Sequence, residues 1–132
     1  MNTIIFENKD HENRYNEYIE KMPRKDGFNK AYAYLLALIG HNPNDIYDFE
    51  NNKIIPDGMG ACWQTSNTAR ATALLFSLRC NYNDENNCGT VYNIFGSNYW
   101  DKYYIEALKL YCSNSEMQIP SRFKINFGNT ES

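Results

Sequence analysis

The chain has 132 residues, a formal charge of −3 and a pI near 5.3, and its length fits one domain of the usual roughly 100–200 residues. The mildly acidic balance weighs against a general binder of phosphate backbones, which needs a basic face to release counterions. Hydrophobic residues make up 42%, and 11 Tyr, 7 Phe and 2 Trp mean that much of the core is built from rings, with tyrosine tips at its edge.

The opening MNTIIFENKDHE lacks the basic start and long apolar run of a secretory signal. No stretch approaches the roughly 20 apolar residues of a membrane span. The chain therefore reads as cytoplasmic with no membrane partner. Cys62, Cys80, Cys88 and Cys112 show no C-x-x-C spacing, so scattered reduced thiols are expected and no metal site or cofactor is assigned.

Helical periodicity dominates the chain in order. From about 9 to 22, His11, Tyr15, Tyr18, Ile19 and Met22 recur on one helical face until Pro23 stops the helix. A histidine on such a stripe is expected to be a hydrogen bonder at the core edge. Phe28, Tyr32, Leu35, Leu36 and Ile39 repeat the spacing, with Ala31, Ala33, Ala37 and Leu38 between them. This predicts a helix apolar all round, buried among the others and capped by Gly40.

Residues 41 to 60 change character: Asn42-Pro43 opens a turn or short helix, and Ile46–Phe49 and Lys53–Ile55 flank an Asn turn as a small hairpin that Pro56-Asp57-Gly58 ends. Such a hairpin is marginal alone and must lie on helices. CWQTSNTARATALLFSLRC, 62 to 80, then predicts a third helix over 66–80, buried over most of its circumference, with Thr65 or Ser66 as its cap. At 1.5 Å per residue Cys62 and Cys80 lie too far apart to share a metal or a disulfide.

An Asn-rich loop follows from Asn81 to Gly89, then a short turn from Thr90, with Gly96-Ser97 leading into a fourth helix. There Trp100, Tyr103, Tyr104, Ala107, Leu108 and Tyr111 form the buried stripe, and Asp101, Lys102, Glu106 and Lys109 are expected on the solvent side. Arg122 to Phe127 are candidates for an edge strand. The expected architecture is mainly α: a compact four-helix domain over 1–112, with a small β-hairpin between helices two and three, and a C-terminal extension over 113–132.

Two places carry candidate chemistry. The start of the third helix offers Trp63, Gln64, Thr65, Ser66 and Arg70, combining helix N–H groups, hydroxyls and a guanidinium suited to an anion or a carbonyl. Tyr99, off the apolar stripe of the fourth helix, is the surface aromatic candidate. His41, Asp45 and Asp48 form a weaker acid–base or cation cluster. No nucleophile motif, P-loop, zinc helix or Gly-rich nucleotide turn occurs, so no catalytic residue is assigned.

The order D-H-x-x-x-Y-x-x-Y at 10–18, A-Y-A-Y-L-L-A-L, D-I-Y-D-F-E-x-x-x-I-x-P-D-G at 45–58, W-Q-T-S-x-T-A-R at 63–70 and Y-W-x-x-Y-Y-I-E-A-L-K-L-Y resembles a domain-of-unknown-function family of small Firmicutes proteins. It spans about residues 6 to 112. The resemblance implies no activity and no catalytic residues, but a context of phages and integrative elements. Ala71, Thr72 and Ala73 after Arg70 depart from members with a more basic third helix.

The expected function is a small non-enzymatic accessory protein that binds a host protein or a protein–nucleic acid complex, for instance as an inhibitor of a bacterial defence system such as CRISPR-Cas. The alternative is a small-molecule or nucleotide binder using the start of helix three.

Overall fold

Residues 3–80 and 100–114 are described by the structure, a computed structural model. Four α-helices lie among them, α1 (Lys9–Ile19), α2 (Gly27–Ile39), α3 (Ser66–Cys80) and α4 (Asp101–Tyr111). An antiparallel hairpin, β1 (Tyr47–Asp48) and β2 (Lys53–Ile54), sits between α2 and α3 and pairs Tyr47 with Ile54 and Asp48 with Lys53. This is the four-helix, single-hairpin architecture the periodicity predicts. The Asn-rich loop, the turn from Thr90, Gly96-Ser97, Tyr99 and the expected strand at 122–127 lie outside the described residues.

The centre of the molecule is α2. Asp26 caps its start by accepting from the Asn29 N–H at 2.9 Å, and Gly40 ends it in the left-handed region at φ 79°, its N–H donating to the Leu36 carbonyl. A glycine suits that φ because no Cβ meets the backbone. Every residue from Ala31 to Ile39 is buried, so no face of this stretch is left for water. The other three helices pack around it, and burial of its Leu, Ile and Tyr side chains supplies the main driving force, about 1.5–3 kcal/mol per large side chain.

The expected first helix stops earlier than Pro23. It ends at Ile19, and Lys21 and Met22 form tight i→i−3 turns onto Tyr18 and Ile19 before Pro23. Met22 nevertheless stays buried. The cap is Asn8, whose side chain accepts from the His11 N–H.

Tyrosine rings fill the core and their hydroxyls find backbone oxygens. Tyr34 donates to the Ile5 carbonyl, Tyr104 to Asn67 at 3.1 Å and Tyr111 to Leu78 at 3.3 Å. Each bond joins two segments distant in the chain, so the polar tip that a ring cannot bury unpaired becomes a cross-link. The hairpin is held in the same way, with Arg79 donating to the Tyr47 hydroxyl and to the Asn52 carbonyl.

His11 is fully buried against Phe6, Tyr34 and Tyr103. Its Nδ1 accepts from the Glu7 N–H at 3.0 Å and its Nε2–H donates to the Tyr34 carbonyl at 3.1 Å, which fixes the neutral tautomer. The expectation of a hydrogen-bonding histidine on the apolar stripe is met, although the residue lies inside the core and not at its edge.

Glu106 departs from its expected solvent position. It is buried because the segment 3–7 lies along α4: the Ile5 N–H donates to Glu106 Oε2 at 3.2 Å, and Trp100 Nε1 donates to Glu7 at 3.0 Å. Ile105 takes an outward position instead, 48% exposed.

Burial pushes the His11 imidazole down to about 4 from 6.5, with the Arg14 charge acting in the same direction against the Tyr34 carbonyl. Between those values the unfolded chain binds the proton and the folded one does not, so stability falls as pH drops through this window and is flat above it. Denaturant titration should show wild type losing about 3 kcal/mol more than His11→Gln between pH 7 and pH 4. Parallel pH profiles would contradict the buried neutral imidazole.

Candidate functional site

After Gly40 turns the chain out of α2, Pro43 begins a 3-10 turn, Pro43–Asp45, with the Asn42 side chain accepting from the Asn44 N–H. Proline suits this first position, since its missing N–H would have no partner there. The turn sets His41 and Asp45 four residues apart on one side, with His41 Nε2 2.7 Å from Asp45 Oδ2. A second 3-10 turn, Pro56–Gly60, packs onto the first. It approaches so closely that a Cβ on Gly58 would stand 2.6 Å from the Asp45 carbonyl oxygen, which makes glycine a steric requirement there.

The second turn delivers Trp63 onto His41. The two rings stack with centroids 3.8 Å apart and planes within 8°. Trp63 is half-buried against the core edge, while the His41 and Asp45 side chains keep 31% and 51% of their surface. The result is a partly exposed aromatic–imidazole–carboxylate row beside the start of α3. Residues treated as two separate candidates in the sequence thus form one site.

The remaining predicted site residues divide by where their polar atoms go. Thr65 and Thr68 cap α3 reciprocally: the Thr65 hydroxyl accepts from the Thr68 N–H at 3.1 Å and the Thr68 hydroxyl accepts from the Thr65 N–H at 2.7 Å. Thr65 is therefore the cap and Ser66 the first helical residue, exposed to solvent. Gln64 turns inward, donating to the Gly58 carbonyl at 2.8 Å and to Thr72 Oγ1 at 3.1 Å. Arg70 is half-buried one turn into α3, where its charge acts on the Tyr104 hydroxyl. Tyr99 lies outside the described residues.

Asp48 does not join His41 and Asp45. Its carboxylate accepts from the Asn51 N–H and side-chain amide at 3.1 and 2.8 Å, closing the hairpin turn, and those bonds hold its carboxyl below the usual range. Among the described residues no group of three potential ligands is placed to hold a metal ion. Chemically the His41–Asp45 pair has the orienting half of an acid–base system. Among the described residues no hydroxyl or thiol is hydrogen-bonded to His41.

The fold and site define a small, mainly helical domain with a hairpin and a stacked Trp–His edge. The chain belongs to DUF6075, a family of unknown function whose model matches residues 1–122. No curated protein and no solved structure matches it. Among the described residues no helix is long and apolar enough to cross a membrane.

The division between surface and structural residues predicts unequal costs. Asp45→Asn should change unfolding free energy by about 1 kcal/mol or less, as for an exposed side-chain pair. Gln64→Ala should cost about 1–3 kcal/mol by leaving the Gly58 carbonyl and Thr72 without its amide. Equilibrium denaturation checks both values, and equal costs would contradict the assignment.

Proposed function

We propose that this protein is a small non-enzymatic accessory protein of a phage or mobile element that acts in the cytoplasm by binding a host macromolecule. The preferred target is a protein or protein–nucleic acid complex of a defence system such as CRISPR-Cas. One observation carries the reading: Trp63 stacked on His41 and bordered by Asp45, on a partly exposed edge beside the Gln64 amide nitrogen and the Thr65 hydroxyl, which both hydrogen-bond within the chain. A rigid aromatic ring beside a charge is a favoured interface anchor, because it buries much area while losing little side-chain freedom. The net charge of −3 suits a basic partner surface and adds to association rate more than to affinity. The resemblance to small Firmicutes proteins carried on mobile elements supplies the host context.

A second reading, a small-molecule or nucleotide binder at the start of α3, is favoured by the flat face of the same Trp63 ring next to the exposed Ser66. The two readings separate by partner size. Capture from a Firmicutes host lysate on the tagged protein should retain a stoichiometric protein partner after nuclease treatment. Trp63→Ala, confirmed as folded by circular dichroism, should weaken that capture at least about tenfold. Undiminished capture by Trp63→Ala, or no partner together with a nucleotide-induced thermal shift that Trp63→Ala abolishes, would overturn the first reading.

A further inference from the structure

At the opposite end of α2 from its capping glycine, the segment 3–7 and the end of α4 border a half-open cavity of about 600 Å³. The segment runs antiparallel to α4, with Glu7 beside Trp100 and Ile5 beside Glu106. Its first residues therefore meet the last turn of α4. Ile4, Ile5 and Leu110 form the apolar wall, and Lys30 of α2 and Lys109 of α4 line the same space. Their helices are held together by the core, so both lysines border one cavity.

One carboxylate, Glu106, faces these two lysines. Its Oε2 already accepts from the Ile5 N–H at 3.2 Å, and its Oε1 stands 4.0 Å from Lys109 Nζ, the outer limit of an ion pair. Lys30 has no ion pair with another described residue. Among the described residues that line the cavity, two lysines stand against one carboxylate, set beside aliphatic side chains. Ile5, 53% exposed, is a large apolar side chain left to solvent at this wall.

We infer that this cavity is a binding site for a small aliphatic monocarboxylate, with the carboxylate between Lys30 and Lys109 and the hydrocarbon body against Ile4, Ile5 and Leu110. The volume falls within the roughly 300–1,000 Å³ of small-molecule sites, which pair an apolar lining with a few polar groups that fix orientation. A singly charged head matches the residual charge. A polyphosphate would bring several negative charges beside Glu106, more than the two lysines can offset, and an uncharged chain would leave both ammonium groups unused. The site is separate from the Trp63 row and does not depend on the function proposed for it.

Octanoate is the probe. Titrated into the ¹⁵N-labelled full chain, it should give saturable shifts confined to residues 3–5, 30 and 106–113, while octanol binds at least about tenfold more weakly. The double variant Lys30→Ala/Lys109→Ala should weaken octanoate at least about tenfold. The charge-matched control Lys9→Ala/Lys25→Ala, two exposed lysines elsewhere on the surface, should bind as wild type does. Raising the salt should weaken binding to wild type and leave octanol unaffected. Absence of saturable shifts up to about 10 mM, equal binding of octanol, or equal weakening in the two double variants would overturn the assignment.

Discussion

The constraint on which the rest of the molecule depends is that α2 has no polar face between Ala31 and Ile39. A helix buried on every side needs neighbours on every side, and α1, α3 and α4 are placed by that need. Burial also forces each polar atom near α2 to find a partner inside the protein. Two side chains of α1 answer this at the carbonyls of α2, His11 at Tyr34 and Arg14 at Ala37, the latter at 2.8 Å. They fix the register of α1 on α2 through hydrogen bonds as well as through packing. The Arg14 guanidinium also lies where a Cβ on Gly40 would meet it at 3.3 Å, so the end of α2 and the position of α1 are specified together.

His11 extends the same logic outward. One nitrogen serves α2 and the other holds the Glu7 N–H, which anchors the segment that then runs along α4. Protonation would place a second donor opposite the Glu7 N–H, so the apolar nest and the two hydrogen bonds act together to keep the imidazole neutral. From this anchor follow the burial of Glu106, the Trp100–Glu7 bond and the walls of the cavity at the end of α4. The carboxylate-binding cavity and the core are in this sense products of one tether.

Much of this is legible in the sequence. The 3.6-residue period located all four described helices, Gly40 announced its cap, and the Asn-rich turn placed the hairpin between two short extended runs. Those features depend on neighbours within a turn or two, which sequence patterning reports directly. Glu106 was misplaced because its burial depends on a segment about a hundred positions away, and no local period encodes that. The same holds for the Trp63–His41 stack. Spacing of four residues hinted at His41 with Asp45, but Trp63 arrives through the fit of Gly58 against Asp45, a steric requirement visible only in three dimensions. Gln64 is the reverse case: a polar residue at a helix start reads as available, yet its amide is used inside the chain.

The site that results is a rigid, partly exposed edge. Its aromatic ring is fixed by a stack, its carboxylate by an imidazole, and its helix start by a reciprocal threonine cap, so little freedom is left to lose on association. The most direct measurement is hydrogen–deuterium exchange on the complex formed with the captured host partner, compared with the free protein. The account predicts new protection over residues 41–45 and 61–66, with exchange around Ile105 unchanged. Protection confined to α4 and the segment 3–7, with the Trp63 row exchanging as in the free protein, would contradict it.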